Sequence, residues 1–465
     1  MNQNTIIPDE YKLDLEPFHL LTANEYELVE FQSDDSEIKN AQVVRISVKD
    51  QSAYINLNKG YLEVQIRLVK NADQTAYVAT DQITLCNNVM SLFSRCILRV
   101  QNQVVESVEQ AHIVAAVKSL LHYSNDYADT ASNVLYYKDT GVRSVTPALL
   151  GECLGGEPEN VRFLDNEVSA AGAEIGANSG LFKENLQYNA GFVARQRITG
   201  ASNIVTCYVP LSHIFAFCQV DRIMVSNQVS LEFTKSPATE HIIRATAVAD
   251  GLVHLQRMSC WIPRILPKPE VEMSLKAALG SGVISKYKYN TFNAYVSDNV
   301  SDAAATATFR VITQSEKPLR AFIYLRRAGL TQANPKLLTE DQLTTLNVRL
   351  NGKTYPGRDF TNLQDVGKSR AYMSLLEYMN KNRDYSTGNQ LTRQDWDRTS
   401  IYSVDLSNVP DNWSKSPSTI EVIASFNAAR QLGGANVSRQ LVCVVMSEKE
   451  ATIQYSGSQP VVVVN

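Results

Sequence analysis

The sequence predicts an all-β protein with a few inserted helices, arranged as two tandem β-sandwiches. Three observations support this prediction. Short segments in which apolar and polar residues alternate recur along the whole chain, and this period is typical of half-buried strands. The chain contains 21 tyrosines beside many β-branched residues, and both kinds of side chain favour strands. Finally, one strand–turn–helix unit occurs twice, at positions separated by about half the chain.

The first copy of this unit lies within residues 84–127. The buried side of its strand is predicted to comprise Cys96, Leu98 and Val100. A polar turn follows at residues 101–103. We then expect a helix that ends near Tyr123, because Ser107 and Gln110 have the spacing of a capping box. The apolar stripe of this helix comprises Ile113, Val117, Leu120 and Leu121.

The second copy repeats this order within residues 346–385. Its strand, 346–350, ends at Asn351-Gly352, which is the strongest short signal for a hairpin turn. The apolar stripe of its helix comprises Tyr372, Leu375, Leu376 and Met379. The segment Ser119-Leu120-Leu121-His122-Tyr123 aligns with Ser374-Leu375-Leu376-Glu377-Tyr378. A repeat of this length indicates duplicated domains and not a solenoid, whose period is about 20–50 residues.

Length and composition limit the class of protein. A chain of 465 residues exceeds one ordinary hydrophobic core, so two or three domains are expected. The hydrophobic content of 44% suits a folded globular protein and excludes a disordered one. The net charge is −4 and neither end carries a run of like charges. The composition therefore gives no indication of a basic arm that condenses nucleic acid.

The cysteines predict a reducing compartment. They are odd in number, scattered and never in C-x-x-C spacing, so we expect buried reduced thiols. They are Cys86, Cys96, Cys153, Cys207, Cys218, Cys260 and Cys443. The polar N-terminal sequence lacks the apolar core of a secretory signal, and no apolar run approaches the roughly 20 residues that span a bilayer. We therefore expect synthesis in the cytoplasm or nucleus, and no membrane span.

Composition along the chain predicts four segments. Residues 1–40 are polar and acidic and are predicted to form an N-terminal arm. Residues 41–240 form the first sandwich and 271–465 the second. Residues 241–270 are predicted to connect the two domains, since Pro263, Pro267 and Pro269 interrupt the pattern there.

Further strands complete both sandwiches. They are predicted at 62–68, 203–209 and 222–233, and then at 306–313, 319–325, 402–406, 419–426, 441–446 and 451–455. A helix or loop is expected near 273–279. The stretches 169–180 and 380–400 are predicted to be long surface loops. Jelly rolls are one topology that protects the edges of sheets of this size.

Several short motifs occur in a distinctive order. They are Tyr54-Ile55-Asn56-Leu57, 62–68, 87–93, the helix end at 120–123, Tyr136-Tyr137-Lys138-Asp139-Thr140, 209–215, 351–356 and the helix at 371–378. In this order they resemble the major capsid proteins of the double jelly-roll lineage. The resemblance covers about residues 43–460. It is closest to the capsid proteins of Polinton-like viruses and adintoviruses, whereas virophage capsid proteins and adenovirus hexon are more distant.

The resemblance implies a structural role in a virion. Two jelly rolls would stand side by side in each chain, and a homotrimer would form a pseudo-hexagonal capsomer. Capsomers would tile an icosahedral shell around a double-stranded DNA genome. The partners implied are neighbouring capsomers and penton or minor capsid proteins, with weak, non-specific contact to packaged DNA. We expect the loops at 169–190 and 380–400, the two termini and the polar faces of the repeated helices to make contacts.

The sequence contains little support for catalytic or metal-binding residues. The six histidines, His19, His112, His122, His213, His241 and His254, include no H-E-x-x-H motif and no close carboxylate partner at ligand spacing. The Gly-rich stretch 172–180 lacks the ending of a phosphate-binding loop. Nothing beside Gly151-Glu152-Cys153 or Cys207 supplies a base for a thiol nucleophile. We therefore expect no enzyme activity, no catalytic, cofactor-binding or metal-binding residues, and no cofactor.

Charged clusters leave two interpretations open. Asp395 and Asp397, and likewise Glu340 and Asp341, could form the carboxylate pair of a glycosidase, but solvated surface residues account for them better. The basic clusters are Arg195-Gln196-Arg197 and Arg326-Arg327. Contact with a neighbouring subunit or DNA and ion pairing inside a sandwich fit these clusters equally.

Two other functions are compatible with a pair of sandwiches. One is a minor capsid or penton component, although two rolls in one chain favour the main tile. The other is a two-domain carbohydrate-binding protein or glycoside hydrolase. That function predicts a signal peptide, paired cysteines and a tryptophan-lined groove, whereas Trp261, Trp396 and Trp413 are dispersed in the sequence.

Overall fold

The fold was analysed in a computed structural model. It describes residues 23–48, 54–124, 127, 131–138, 167–168, 174–175, 190–225, 228–244, 248–280, 284–300, 304–313, 317–327, 343–360, 367–383, 390–391, 393, 396, 401–407, 418–426, 439–456 and 459–464. Several candidates from the sequence lie outside these residues. They are His19, Gly151-Glu152-Cys153, Glu340, Asp341, Asp395, Asp397 and Trp413.

The described chain consists mainly of strands. Those of the first half are β1 (Ala23–Gln32), β2 (Val43–Val48), β3 (Tyr54–Ile55), β4 (Tyr61–Lys70), β5 (Ile83–Leu85), β6 (Phe93–Val100), β7 (Gln103–Glu109), β8 (Glu167–Val168), β9 (Glu174–Ile175), β10 (Ile204–Pro210), β11 (Met224–Val225), β12 (Val229–Lys235), β13 (Ile242–Arg244) and β14 (Gly251–Pro267). Those of the second half are β15 (Ile284–Val300), β16 (Thr306–Ile312), β17 (Lys317–Arg327), β18 (Leu343–Leu350), β19 (Lys353–Phe360), β20 (Tyr402–Asp405), β21 (Thr419–Phe426), β22 (Arg439–Ser456) and β23 (Gln459–Val464).

Helices occupy the connections between strands. They are α1 (Ala111–His122), α2 (Ala190–Thr199), α3 (Leu211–Ile214), α4 (Ala238–His241), α5 (Pro269–Gly280) and α6 (Gly367–Tyr378). Helix α5 links the two halves, and α1 and α6 follow equivalent strands. Short 3-10 turns lie at Leu57–Lys59, Val89–Leu92, Ala131–Val134, Gly200–Ser202 and Phe217–Gln219.

The two halves share one topology. In the first half, the long sheet has the order β1-β14-β4-β10, with β3 also paired to β14 and β11 paired to β3. The short sheet has the order β2-β12-β6-β7. The second half has a long sheet β15-β22-β17-β20 with β23 on β22, and a short sheet β16-β21-β18-β19. The eight strands of these two orders, without β3, β11 and β23, can be numbered 1 to 8 along each half. In both halves the long sheet then has the order 1-8-3-6 and the short sheet the order 2-7-4-5. This is the eight-stranded jelly roll, so the predicted fold of two tandem sandwiches is confirmed. The halves are called the first and second roll below.

The repeated unit was predicted as a strand, a turn and a helix, and the structure adds a second strand, β7 or β19, between the turn and the helix. β6 and β7 are joined by Gln101 and Asn102, whose φ angles are 51° and 64°. β18 and β19 are joined by Asn351 and Gly352, with φ angles of 50° and 86°. Two consecutive positive φ angles match the right-handed twist of the flanking strands. Both hairpins lead into a helix, α1 or α6, as the alignment predicts.

The capping box at Ser107 and Gln110 is not formed. Ser107 lies within β7, opposite Ile97 of β6. Gln110 precedes α1 with φ of 51° and makes no side-chain cap. The prediction failed because β7 pairs with β6 from Gln103 to Glu109 and holds Ser107 in extended backbone, while Val105 and Val108 are buried in the core.

Four strands differ from the elements predicted for these regions. β14 pairs with β4 of the first roll, so most of the predicted connection at 241–270 is strand, and α5 follows it. β1 pairs with β14 from Ala23 to Gln32, so this part of the predicted arm is an edge strand. The predicted strands 441–446 and 451–455 are one strand, β22, and β15 was missed altogether. Among the described strands, none before residue 268 pairs with one after 283.

One continuous hydrophobic core runs through both rolls. It includes Leu62, Val64 and Leu98 in the first roll and Val348 and Val444 in the second. The six cysteines that the structure describes are buried and free, as the sequence predicts for them. None of the helices described is long and apolar enough to cross a membrane.

Candidate functional site: the junction between the rolls

The long strands of the second roll extend over the first. The pairing of β22 with β17 ends at Glu448, but β22 continues to Ser456, paired with β15 on one side and β23 on the other. Both β15 and β23 lie against β7, the edge strand of the first short sheet. This extension therefore covers an edge that would otherwise present unpaired backbone groups.

Alternate residues of β15 bind that edge. The Tyr289 hydroxyl donates to the Val105 carbonyl at 2.6 Å. The Asn293 side-chain oxygen accepts from the backbone N–H of Glu109 at 2.9 Å. Because residues two apart on a strand share one face, a single face of β15 satisfies backbone groups of the first roll.

Glu106 is a buried carboxylate between the rolls. It accepts from the backbone N–H groups of Ala216 at 3.1 Å and Phe217 at 2.9 Å, both in the first roll. The Thr291 hydroxyl of the second roll donates to it at 3.0 Å. Burial raises the pKa of Glu106, whereas these donors act in the opposite direction. A satisfied buried carboxylate of this kind fixes the geometry of the groups around it.

Lys118 of α1 brings a positive charge to the same region. Its ammonium donates to the His213 carbonyl at 2.9 Å and lies 5.5 Å from the centre of the Phe292 ring of β15. Burial lowers the pKa of Lys118, and the Glu106 charge partly opposes that shift. Lys118 therefore contacts both rolls with one side chain.

An ion pair joins the rolls at a second point. Arg326 of β17 donates to both carboxylate oxygens of Glu240 in α4, at 2.7 and 3.0 Å, and also to Gln440 at 3.0 Å. His112 of α1 lies on the same carboxylate, with 3.3 Å between Nε2 and the Glu240 oxygen. The basic cluster at 326–327 thus places Arg326 in an internal ion pair.

Gln390 joins the rolls at a third point. It is fully buried and donates through its side-chain nitrogen to the carbonyl of Tyr123 at 2.9 Å and to those of Ser119 and Ser124 at 3.3 and 3.4 Å. The Tyr136 hydroxyl donates to its side-chain oxygen at 2.6 Å. Gln390 therefore satisfies carbonyls at the C-terminal end of α1, which the helix itself leaves open.

The ends of the two repeated helices meet. The His122 Nε2 atom of α1 and the Tyr378 hydroxyl of α6 are 2.7 Å apart. A cavity of about 320 Å³ lies beside this contact and is lined by Lys118, His122, Tyr123 and His213 among others. Burial and the Lys118 charge lower the pKa of His122 and of His213 to about 4. Both rings are therefore neutral near pH 7.

The other sequence candidates have structural contacts. Arg195 is fully buried and donates to the carbonyls of Leu85, Asn87 and Tyr137. Burial raises the pKa of the Cys207 thiol to about 12, so it carries no thiolate. No group of three or more metal-binding side chains occurs among the residues that the structure describes.

Two residues of the junction had little or no sequence signal. Glu106 lies in a strand that also contains Gln103, Ser107 and Glu109, so the local pattern does not mark it as a buried carboxylate. Gln390 lies in the stretch 380–400, where polar composition predicts a surface loop, and nothing local separates it from its neighbours. Trp396 of the same stretch is also fully buried.

Known proteins share this architecture. A family model described as the double jelly roll-like domain matches residues 180–449. A protein in the structure of the Sputnik virophage has a TM-score of 0.57 and 10% identity, covering 100% of this chain and 93% of its own. The mavirus major capsid protein has a TM-score of 0.52 and 8% identity, covering 100% of this chain and 96% of its own. VP54 of PBCV-1 has a TM-score of 0.50 and 9% identity, covering 98% and 99%. No curated protein sequence matches the chain.

Proposed function

Because the chain belongs to the double jelly roll-like domain family, we propose that it is a viral major capsid protein. Three copies form a pseudo-hexagonal capsomer, and capsomers tile an icosahedral shell around a double-stranded DNA genome. The observation that carries this proposal is the duplicated eight-stranded roll. The structural match to the mavirus major capsid protein covers the full length of this chain.

The junction suits the role of a rigid tile. A capsomer has to hold the two rolls of each copy at one fixed angle, since each roll occupies a defined place in the ring. Glu106, Arg326 and Gln390 connect the rolls at three separate points, and each makes bonds to more than one partner. Buried polar contacts with several partners favour one arrangement of the rolls over others. The proposed work of the protein is therefore association and not chemistry.

The partners follow from the same role. Neighbouring capsomers and penton or minor capsid proteins surround each tile in the virion. The segments 169–190 and 380–400 and the termini stay predictions for these contacts. Packaged DNA is a weak, non-specific partner, because the clustered side chains of Arg195 and Arg326 are occupied by internal bonds.

Solution mass and shape test the proposal. The purified chain is expected to form a species of three times its 51.7 kDa mass by light scattering after size exclusion, at micromolar concentration. Negative-stain images should show a pseudo-hexagonal outline. A chain that stays a 51.7 kDa monomer over a hundredfold concentration range would contradict the capsomer, whereas larger closed particles would extend the proposal to self-assembly.

A further inference from the structure

The two long sheets differ in how they are covered. In the second roll, residues 321–326 of β17 and 441–445 of β22 are all buried, so the sheet is covered on both faces. In the first roll, β10 alternates between exposed and buried residues, so one face is open. This open face carries large apolar side chains: Tyr26 and Leu28 on β1, which are 55% and 40% exposed, and Ile204 and Tyr208 on β10, which are 60% and 41% exposed.

The open face is one continuous patch. Leu28 lies opposite Pro263 and Tyr26 opposite Ile265, next to Trp261 on the same side of β14. The Trp261 ring stacks on Tyr61 at 6.2 Å, and Tyr61 meets Tyr208 at 5.7 Å. The name aromatic face is used below for Tyr26, Leu28, Tyr61, Tyr208 and Trp261. Tyrosine and tryptophan are enriched in the buried centres of protein interfaces.

The long sheet of the second roll, which is covered on both faces, shows which element packs on such a face. Helix α1 of the first roll packs on the second long sheet, where Lys118 and His122 both contact Phe292 of β15. Nine residues of α1 are buried, because the helix packs both on the first roll, at residues 89–92 and β6, and on β15 of the second. The intrachain contact is thus a helix of one roll against the long sheet of the other.

Helix α6 is the repeat of α1 and has an open side. The shared sequence aligns Lys118 with Met373 and His122 with Glu377. Met373 is 45% exposed and Glu377 is exposed as well. Among residues 369–378, only Ala371 and Leu375 are buried. The position of Lys118, which is buried in α1, is therefore uncovered in α6, where Met373 occupies it.

We propose that α6 of one copy packs on the aromatic face of another copy, with Met373 against Tyr26 and Leu28. This inference rests on the proposed trimer and names the surfaces that form it. The same helix-on-sheet contact then occurs alternately within a chain and between chains. A contact between two different surfaces is heterologous, and such contacts close into a ring when the rotation permits. Three copies with two equivalent rolls each make six similar contacts around the ring.

Charge substitutions on the two surfaces test this contact. Leu28→Asp and Met373→Asp should each raise the protein concentration for half-assembly by about tenfold or more, since each places a charge in the centre of an apolar interface. Ile312→Asp is the matched control, because Ile312 is 66% exposed on β16, away from both surfaces. Unchanged melting temperatures would show that all three variants fold.

A paired substitution distinguishes a direct contact from an indirect effect. Leu28→Lys and Met373→Glu should weaken assembly singly and restore at least part of it together. The inference is overturned if the wild type is a trimer and the two aspartate variants assemble as well as the Ile312→Asp control. A monomeric wild type would instead contradict the proposed capsomer itself. Loss of glycan-array binding by Leu28→Asp, with assembly unchanged, would also overturn the inference and assign the aromatic face to a carbohydrate.

Discussion

Arg326 of the second roll and Glu240 of the first form a two-point ion pair with N–O distances of 2.7 and 3.0 Å. Their side chains are only 4% and 14% exposed. Both partners are therefore largely removed from water, and each depends on the other for the compensation of its charge. Gln440 and His112 complete the surroundings of the pair.

Removal of one partner of this pair should destabilise the whole chain. Arg326→Met keeps the length of the side chain but leaves the Glu240 carboxylate without its main partner, so we expect a loss of about 3–5 kcal/mol in the free energy of unfolding. Denaturant unfolding followed by tryptophan fluorescence measures it. Arg349→Met is the matched control, since its pair with Glu421 is 43% and 34% exposed and should contribute less than about 1 kcal/mol. Equal effects of the two substitutions would contradict the role of the buried pair.

Loss of the hydrogen-bond donors of the Gln390 side chain should lower the stability of the folded chain. Gln390→Glu has nearly the same shape but directs a carboxylate at the carbonyls of Ser119, Tyr123 and Ser124, so we expect a loss of about 1–3 kcal/mol in the free energy of unfolding. Hydrogen exchange should become faster at the C-terminal turn of α1. Gln219→Glu serves as the control, because Gln219 makes a single side-chain bond to a carbonyl at an exposed position. Identical exchange in wild type and Gln390→Glu would rule out the capping role.

Stability should fall in mild acid. The pKa of His213 is about 4 in the folded chain and about 6.5 when unfolded. Between these values the unfolded chain binds a proton that the folded chain does not, so the free energy of unfolding decreases as the pH falls from about 6.5 to about 4. His122 acts in the same direction, whereas the raised pKa of Glu106 acts in the opposite one.

The variant His213→Asn isolates one part of this dependence. It should show a shallower decrease between pH 6.5 and 4 than the wild type, with the same slope above pH 7. Urea midpoints at intervals of half a pH unit provide the measurement. Parallel curves for variant and wild type would mean that the pKa of His213 is the same in the folded and unfolded chains, which would contradict the prediction.

The hairpin turn of the second roll should favour glycine over alanine at one position. Gly352 has a φ of +86°, and no atom lies within 4 Å of a Cβ built there. Gly352→Ala should therefore cost about 1 kcal/mol through backbone strain and not through a clash. Gly200→Ala is the control, because its added methyl group also has room and no positive φ. A melting temperature that falls equally in both variants would contradict this explanation.

The sequence predicts those parts of the fold that depend on local pattern. The alternation at 62–68, the turn at Asn351-Gly352 and the repeated helices all appear where expected, because each is decided by a few neighbouring residues. The sequence repeat also predicted that the chain contains two similar domains. The capping box at Ser107 failed because pairing of β7 with β6 outweighs the preference of a single cap.

The junction depends on residues that are far apart in the chain. Gln390 bonds to Tyr123 and Arg326 to Glu240, and no local pattern links the members of either pair. The two halves of β22 were predicted as separate strands, since the run Ser447-Glu448-Lys449-Glu450 resembles a polar turn. In the structure these residues continue the ladder, with Glu448 bound to Lys288 and Lys317. The extension of β22 over the first roll was therefore not predicted from the sequence.

The position of β22 near the end of the chain sets an order for synthesis. The first roll leaves the ribosome long before residues 439–464, yet these residues pair with β15 and build the sheet that lies over β7. Residues of β15 bind the edge at Val105, Glu106 and Glu109, but β15 itself needs β22 as its partner in the sheet. The cover over β7 is therefore complete only once residues 439–464 have been added.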